Sequence, residues 1–136
     1  MPSPPSNATF VAAIQAMTVA GVNKHFDYPP QSIVAADLPV AFPLMPSGIL
    51  GERVMSCIDG NKTRAIGYVI CVEAVGLDVQ SLNYGKLAEL MDNLETALDA
   101  LTIANFIDYE ISATAGYAVA GNTYWAIVAE IRGRSV

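Results

Sequence analysis

The sequence predicts an α+β domain in which an N-terminal helix and one long amphipathic helix pack on a mainly antiparallel β-sheet. The first observation is the order of periodic segments along the chain, which is helix, three strands, helix and two strands. The second is the short separation of the last two strands, which is typical of a hairpin. The length of 136 residues fits one domain, which we place at 7–136 after a flexible arm at 1–6.

The first helix is predicted to follow the arm, which is rich in proline and serine. Apolar residues then recur at helical spacing and form one face: Phe10, Val11, Ile14 and Met17. Gly21 is expected to end this helix. The later segment 37–44 is apolar, but its Pro39 and Pro43 cannot donate to a sheet ladder. It therefore predicts an edge strand, or a strand broken at its ends.

The strongest strand is predicted at 63–76, after a loop or hairpin at 45–63 that is punctuated by glycine and proline. This strand is rich in β-branched and aromatic residues and is apolar at both parities, so both of its faces need cover. Helices can cover one face, and the other needs something else, such as a neighbouring subunit. Glu73 lies inside the strand. A buried carboxylate needs a partner, for which the few arginines are candidates; a pair with another subunit and simple exposure near the strand end stay open as alternatives.

The clearest helix is predicted at 83–102, where apolar residues form a stripe at spacings of three and four residues. The stripe consists of Leu87, Leu90, Met91, Leu94, Leu98 and Leu101. Two strands are predicted after it, at 105–114 and 123–133, from alternating or two-sided apolar patterns. The segment AGYAVAGN at 115–122 lies between them and is interpreted as a turn region.

Composition limits the classes of protein that fit this chain. Hydrophobic residues make up 53% and charged residues 15%, which leaves apolar material for contacts between subunits. The net charge of −6 argues against a nucleic-acid groove, which needs clustered lysine and arginine. No apolar run reaches the length of a membrane span, and no secretion signal is recognised. Cys57 and Cys71 are too few for a disulfide framework, so a reducing cytosol is expected.

Two groups of polar residues are candidates for chemistry, and each also has a structural interpretation. His25 and Asp27 could orient a base, but no serine lies in a nucleophile-elbow context, so a surface histidine is preferred. Asp108, Glu110 and Glu130 could do acid–base work, but a solvated sheet face, or an acidic wall in a ring, is preferred. We therefore predict no enzyme, no cofactor and no metal site.

The stretch VNKHFDYPPQ at 22–31 and its surroundings resemble the start of the tail-terminator, or tail-completion, proteins of long-tailed bacteriophages. Members of that group often have a short helix, then a glycine-led turn that ends in an acidic residue, an aromatic residue and two prolines, then a Leu-Pro strand. The matching residues are Gly21, Val22, Phe26, Asp27, Tyr28, Pro29, Pro30, Leu38, Pro39 and Val40. The order of the later elements is similar too, so the resemblance covers nearly the whole chain.

The resemblance implies a structural protein of the virion, assembled in the host cytoplasm, that forms a ring of about six subunits on the end of the tail tube. Such a ring joins the tail to neck or connector proteins, and DNA passes through its bore without specific binding. The residues expected at interfaces are Phe26, Tyr28, Pro29, Pro30, Glu73, Trp125 and Arg132. The two prolines are expected to hold an extended turn and to prevent further sheet pairing there.

Two alternatives stay open from the sequence. The first is another phage neck or head–tail adaptor protein, which differs from a terminator only in its position. The second is a small oligomeric α+β domain that binds a metabolite, with His25, Asp27 and Tyr28 lining the pocket. A closed ring needs no defined apolar pocket, so the size of the assembly separates the ring from the metabolite-binding domain.

Overall fold

The computed structural model describes residues 7–44, 62–75, 80–103 and 107–135. Within them a five-stranded sheet has the strand order β1-β2-β3-β5-β4, and all neighbours are antiparallel except β1 and β2. The predicted α+β class and element order are confirmed. The predictions for the arm at 1–6 and for 45–61 lie outside the described residues. The elements are α1 (Asn7–Ala16), β1 (Lys24–His25), β2 (Val40–Leu44), β3 (Lys62–Ala74), α2 (Gln80–Asp99), β4 (Ile107–Val119) and β5 (Asn122–Ser135).

The two helices cover one face of the sheet and enclose its larger hydrophobic core. Phe10 and Ile14 of α1 are buried there, as their helical spacing predicted. Met91 and Leu101 of the predicted α2 stripe are only partly buried. The fully inward members of that stripe are Leu87, Leu90, Leu94 and Leu98. Burying one such leucine contributes about 1.5–3 kcal/mol, so this layer is a main source of the stability of the fold.

The opposite face of the sheet is covered, in its apolar part, by the chain itself. Val69 and Cys71 of β3 have no exposed surface on this side. Phe26, Ile33 and Leu38, from the segment that joins β1 to β2, pack against the same cluster. The prediction that both faces of the central strand are covered is therefore confirmed. A neighbouring subunit is not needed to bury these residues.

Two predicted boundaries are wrong. Helix α1 ends at Ala16 rather than at Gly21. The N–H of Met17 still bonds to the Ile14 carbonyl at 3.2 Å, but Val19 donates its N–H to the His25 ring instead of to the preceding helical turn. The segment interpreted as a turn region is mostly strand, because β4 runs on to Val119. The turn itself is confined to Ala120 and Gly121, whose φ angles are 51° and 84°.

In the segment predicted as an edge strand, 37–44, Pro43 lies where sheet pairing allows a proline. Strand β2 starts at Val40, and β1 pairs with it only at Val40 and Ala41. Pro43 lies beyond that pairing, so β2 is an edge strand at this end, as predicted. None of the described helices is long and apolar enough to cross a membrane.

Candidate functional site

His25 is held by the fold and is only partly exposed. It lies on β1 and is half-buried, and its Nε2 accepts a hydrogen bond from the backbone N–H of Val19 at 3.0 Å. Burial lowers the pKa of His25, and only the neutral ring can accept this bond. The structural interpretation of this histidine is therefore favoured. Asp27 is exposed, and its carbonyl oxygen accepts a bond from the Gln15 amide at 2.9 Å.

The segment after β1 sends one aromatic residue inward and the next one outward. Phe26 packs against the smaller core, on the sheet face opposite the helices. The ammonium of Lys24 lies 5.0 Å from the centre of the Phe26 ring. Tyr28 is 71% exposed and Val34 is 61% exposed. We call Tyr28 and Val34 the loop surface. Of the residues predicted for an interface here, Tyr28 and its exposed neighbour Pro29 are accessible, Pro30 is half-buried, and Phe26 is mainly a core residue.

A second apolar surface lies at the end of β3, the start of β5 and the first turns of α2. The rings of Trp125 and Tyr84 meet edge to face, with centres 5.6 Å apart. Tyr84 is 63% exposed, and Val75 next to this end of the sheet is 43% exposed. We call Val75, Tyr84 and Trp125 the aromatic surface. An exposed tyrosine that contacts a partly buried tryptophan is typical of protein-binding surfaces, where both residue types are enriched.

Glu73 lies beside this aromatic surface, because its register partner on β5 is Trp125. Its carboxylate faces the ammonium of Lys86 on α2 at 3.9 Å. Among the described side chains, the partner of Glu73 is therefore a lysine and not one of the candidate arginines. The carboxylate is also partly exposed, with 31% of its side chain accessible. The structure thus brings two predicted interface residues, Glu73 and Trp125, into one place.

The other predicted interface residue, Arg132, lies on the opposite face of the sheet. Its Nε bonds to Glu130 at 3.0 Å, and a terminal nitrogen lies 3.7 Å from Glu110. The hydrogen bond to Glu130 raises the pKa of Arg132. These groups and Asp108 are exposed. Asp108, Tyr109, Glu110 and Arg132 line an open depression of about 240 Å³. Ion pairs as exposed as these contribute little stability. Since these side chains are exposed and carboxylates predominate among those described, this is a solvated, acidic sheet face.

No described group of three or more histidine, cysteine, aspartate or glutamate residues could hold a metal ion. Cys71 is fully buried, and burial raises the pKa of its thiol to about 12, so it is a poor nucleophile at neutral pH.

Tyr84 is a surface residue that the sequence reasoning missed. The helix pattern was used to find the buried stripe, and Tyr84 lies outside that stripe. It is the sole aromatic residue of α2. An aromatic residue outside the buried stripe of an amphipathic helix is the sequence signal by which this exposed side chain could be found. A scan against models of known protein families and a search of curated proteins both gave no match.

Proposed function

We propose that this protein is a tail-terminator protein of a long-tailed phage, which forms a closed ring on the tail tube and joins the tail to the neck. It is a binding protein of the virion. The proposal rests on the resemblance of residues 21–43 and on an element order that matches that group from α1 to β5. The structural observation that carries the ring is the presence of two separate apolar surfaces on one subunit.

A closed ring is built from head-to-tail contacts, so each subunit must offer two different and complementary surfaces. The large hydrophobic side chains exposed among the described residues are Tyr28, Val34, Val75 and Tyr84. They divide between the loop surface, on the segment between β1 and β2, and the aromatic surface, near β3, α2 and β5. In the proposed ring the loop surface of one subunit packs on the aromatic surface of the next.

The acidic sheet face fits the bore of such a ring. Among the described side chains of this face, the carboxylates of Asp108, Glu110 and Glu130 outnumber the guanidinium of Arg132. A net negative wall repels the phosphates of DNA, so a passing duplex meets no site that holds it. Grip would need clustered positive charge, and the chain has a net charge of −6.

The first test is the mass of the purified protein, measured together with negative-stain images of the same sample. A closed ring of about six copies with an open centre is the expected result, formed alone or on tubes of the tail protein from the same genome. On tubes, the ring should appear at one end and stop further growth. Tubes that grow equally fast with the protein present, and carry no density at their ends, would overturn the proposal.

The head-to-tail contact has its own test, because both surfaces are exposed and can be changed without touching the core. Tyr28→Ala and Tyr84→Ala should each prevent ring closure, whereas Glu89→Gln on an exposed position of α2 should not. Mixing the two tyrosine variants restores one intact contact, so a dimer is expected but no ring. A ring that closes with either tyrosine variant alone excludes this pair of surfaces.

A further inference from the structure

One edge of the sheet is closed to a new strand in the described residues. At this edge the N–H of Phe26 donates to the carbonyl of Ala41 at 2.8 Å, so the backbone groups of Ala41 point outward. Backbone groups alternate sides along a strand, so those of Pro43 point outward as well. Proline has no N–H, so this edge has no donor for another strand at that position.

The other edge is the outer side of β4, which pairs with β5 alone. The N–H of Tyr109 donates to Asp108 Oδ1 at 2.9 Å, which places that N–H on the outer side of the strand. The alternation then directs the N–H groups of Ile111 and Ala113 outward too. Beyond them the strand has a bulge, where the N–H of Gly116 donates to the Thr114 hydroxyl at 3.2 Å.

We propose that the outer edge of β4 pairs antiparallel with the same edge of a second copy of this chain, around a two-fold axis at Ser112. In this register Ile111 of one copy lies opposite Ala113 of the other, and such a pair exchanges two backbone hydrogen bonds. The symmetry doubles the number to four. These bonds use the two outward donors that lie between those already bonded by Asp108 and Thr114.

The charges of β4 select this orientation. Its acidic residues, Asp108 and Glu110, lie near its start, and no charged residue follows in the strand. Antiparallel pairing around Ser112 sets Glu110 opposite Thr114 of the second copy, and Asp108 opposite the uncharged bulge. A parallel pair in register would stack each acid on its own copy, and like charges placed directly opposite are destabilising. The strand is therefore complementary to itself only when antiparallel.

This pairing is distinct from the proposed ring and does not depend on it. A two-fold contact closes at two copies. A ring with one face for the tube and another for the neck cannot contain a two-fold axis in its plane. The β4 pair therefore belongs to the free protein, away from the tail. Because the paired segment is short, the dimer should be weak and should form only at high protein concentration.

Cysteine cross-linking tests both the contact and its register, in a Cys57→Ser background that leaves only the buried Cys71. Ser112 would face itself in a non-hydrogen-bonded pair, where Cα atoms lie about 4.5 Å apart, within the range of a disulfide. Ser112→Cys should form a covalent dimer under mild oxidation. Glu110→Cys and Thr114→Cys should cross-link when mixed, and neither should cross-link alone.

A second variant tests the hydrogen bonds. Ala113→Pro removes an outward donor on which two of the four bonds depend, and an edge strand accepts proline at such a position. The association constant of the dimer, measured by sedimentation, should fall at least about tenfold. The midpoint of thermal unfolding should be nearly unchanged.

A wild-type chain that stays monomeric up to about 1 mM would overturn the proposal. A Thr114→Cys variant that cross-links with itself as readily as Ser112→Cys would also overturn it. In the proposed register Thr114 lies opposite Glu110 of the second copy, so self-cross-linking at 114 would require a different register. Ring formation on tubes is scored separately, by negative stain, so failure of either proposal is visible without the other.

Discussion

The contact between α1 and β5 depends on a single missing methyl group. Gly133 of β5 lies directly beneath the ring of Phe10, and a Cβ at this position would overlap Cε2 and lie 2.9 Å from Cζ. Phe10 is 2% exposed, so its ring has no free space into which it could turn. Gly133→Ala therefore forces α1 away from the sheet. Overpacking of this kind costs about 1–3 kcal/mol of the free energy of unfolding.

Gly85 provides the matched control, because the same substitution meets the opposite environment. It lies within α2, and a Cβ there would have no atom within 4 Å. Gly85→Ala should raise the free energy of unfolding by about 0.5–1 kcal/mol, since alanine loses less backbone entropy in a helix. Two chemically identical changes are thus expected to have opposite signs.

Urea unfolding followed by circular dichroism measures both effects, and thermal scans should show shifts of about 2–8 °C per kcal/mol for a chain of this size. Phe10→Leu in the Gly133→Ala background should recover part of the loss, with a coupling energy of at least about 0.5 kcal/mol. If Gly133→Ala is neutral, or if the two sites do not couple, then α1 does not pack on β5 as described. The explanation of the larger core would then be refuted.

Three further predictions follow from the described contacts. His25 accepts the Val19 N–H only when neutral, and its folded pKa lies below 6.5. Its contribution to stability should therefore be complete above about pH 6.5 and be lost as the pH falls through that value toward the lower folded pKa. Unfolding free energies measured between about pH 7.5 and 5.5 should decline less in His25→Ala, and an equal decline contradicts this role. Ala120→Asn should stabilise the hairpin by about 0.5–1 kcal/mol, because φ of 51° suits asparagine better than alanine; an unchanged urea midpoint counts against it. Cys71, in a Cys57→Ser background, should react with an aromatic disulfide reagent only after urea unfolds the chain, and rapid labelling of the native protein is the contrary result.

The elements with strong local periodicity could be predicted from the sequence. The α2 stripe and the two-sided apolar run of β3 each imply one structure, and both formed within three residues of the predicted bounds. The second half of β4 could not be predicted, since alanine favours helices and glycine disfavours both helix and strand. It becomes a strand through its neighbours: Tyr117 pairs with Tyr124 on β5, and its ring centre lies 6.3 Å from that of Phe42.

The candidate surfaces were harder to predict for the same physical reason. A lysine pairs with Glu73 because α2 returns over the end of β3. The sequence alone offered arginines as candidate partners and exposure as an alternative, and it could not show which residue of α2 comes close. Tyr84 and Trp125 are forty-one positions apart and meet only in the fold. Local pattern predicts which side chains are buried, but not which exposed ones lie together.

The stretch at 22–31 shows how architecture and recognition share neighbouring residues. His25 fixes the segment by accepting the Val19 N–H, and Phe26 fixes it by packing on the sheet face opposite the helices. Tyr28 is then left exposed beside two prolines, whose fixed φ angles limit the conformations of the segment before any partner binds. A surface ordered in this way loses less conformational entropy on association than a free loop would. Changes at His25 or Phe26 should therefore weaken the proposed ring contacts as well as the fold, whereas Tyr28→Ala should weaken the proposed contacts alone.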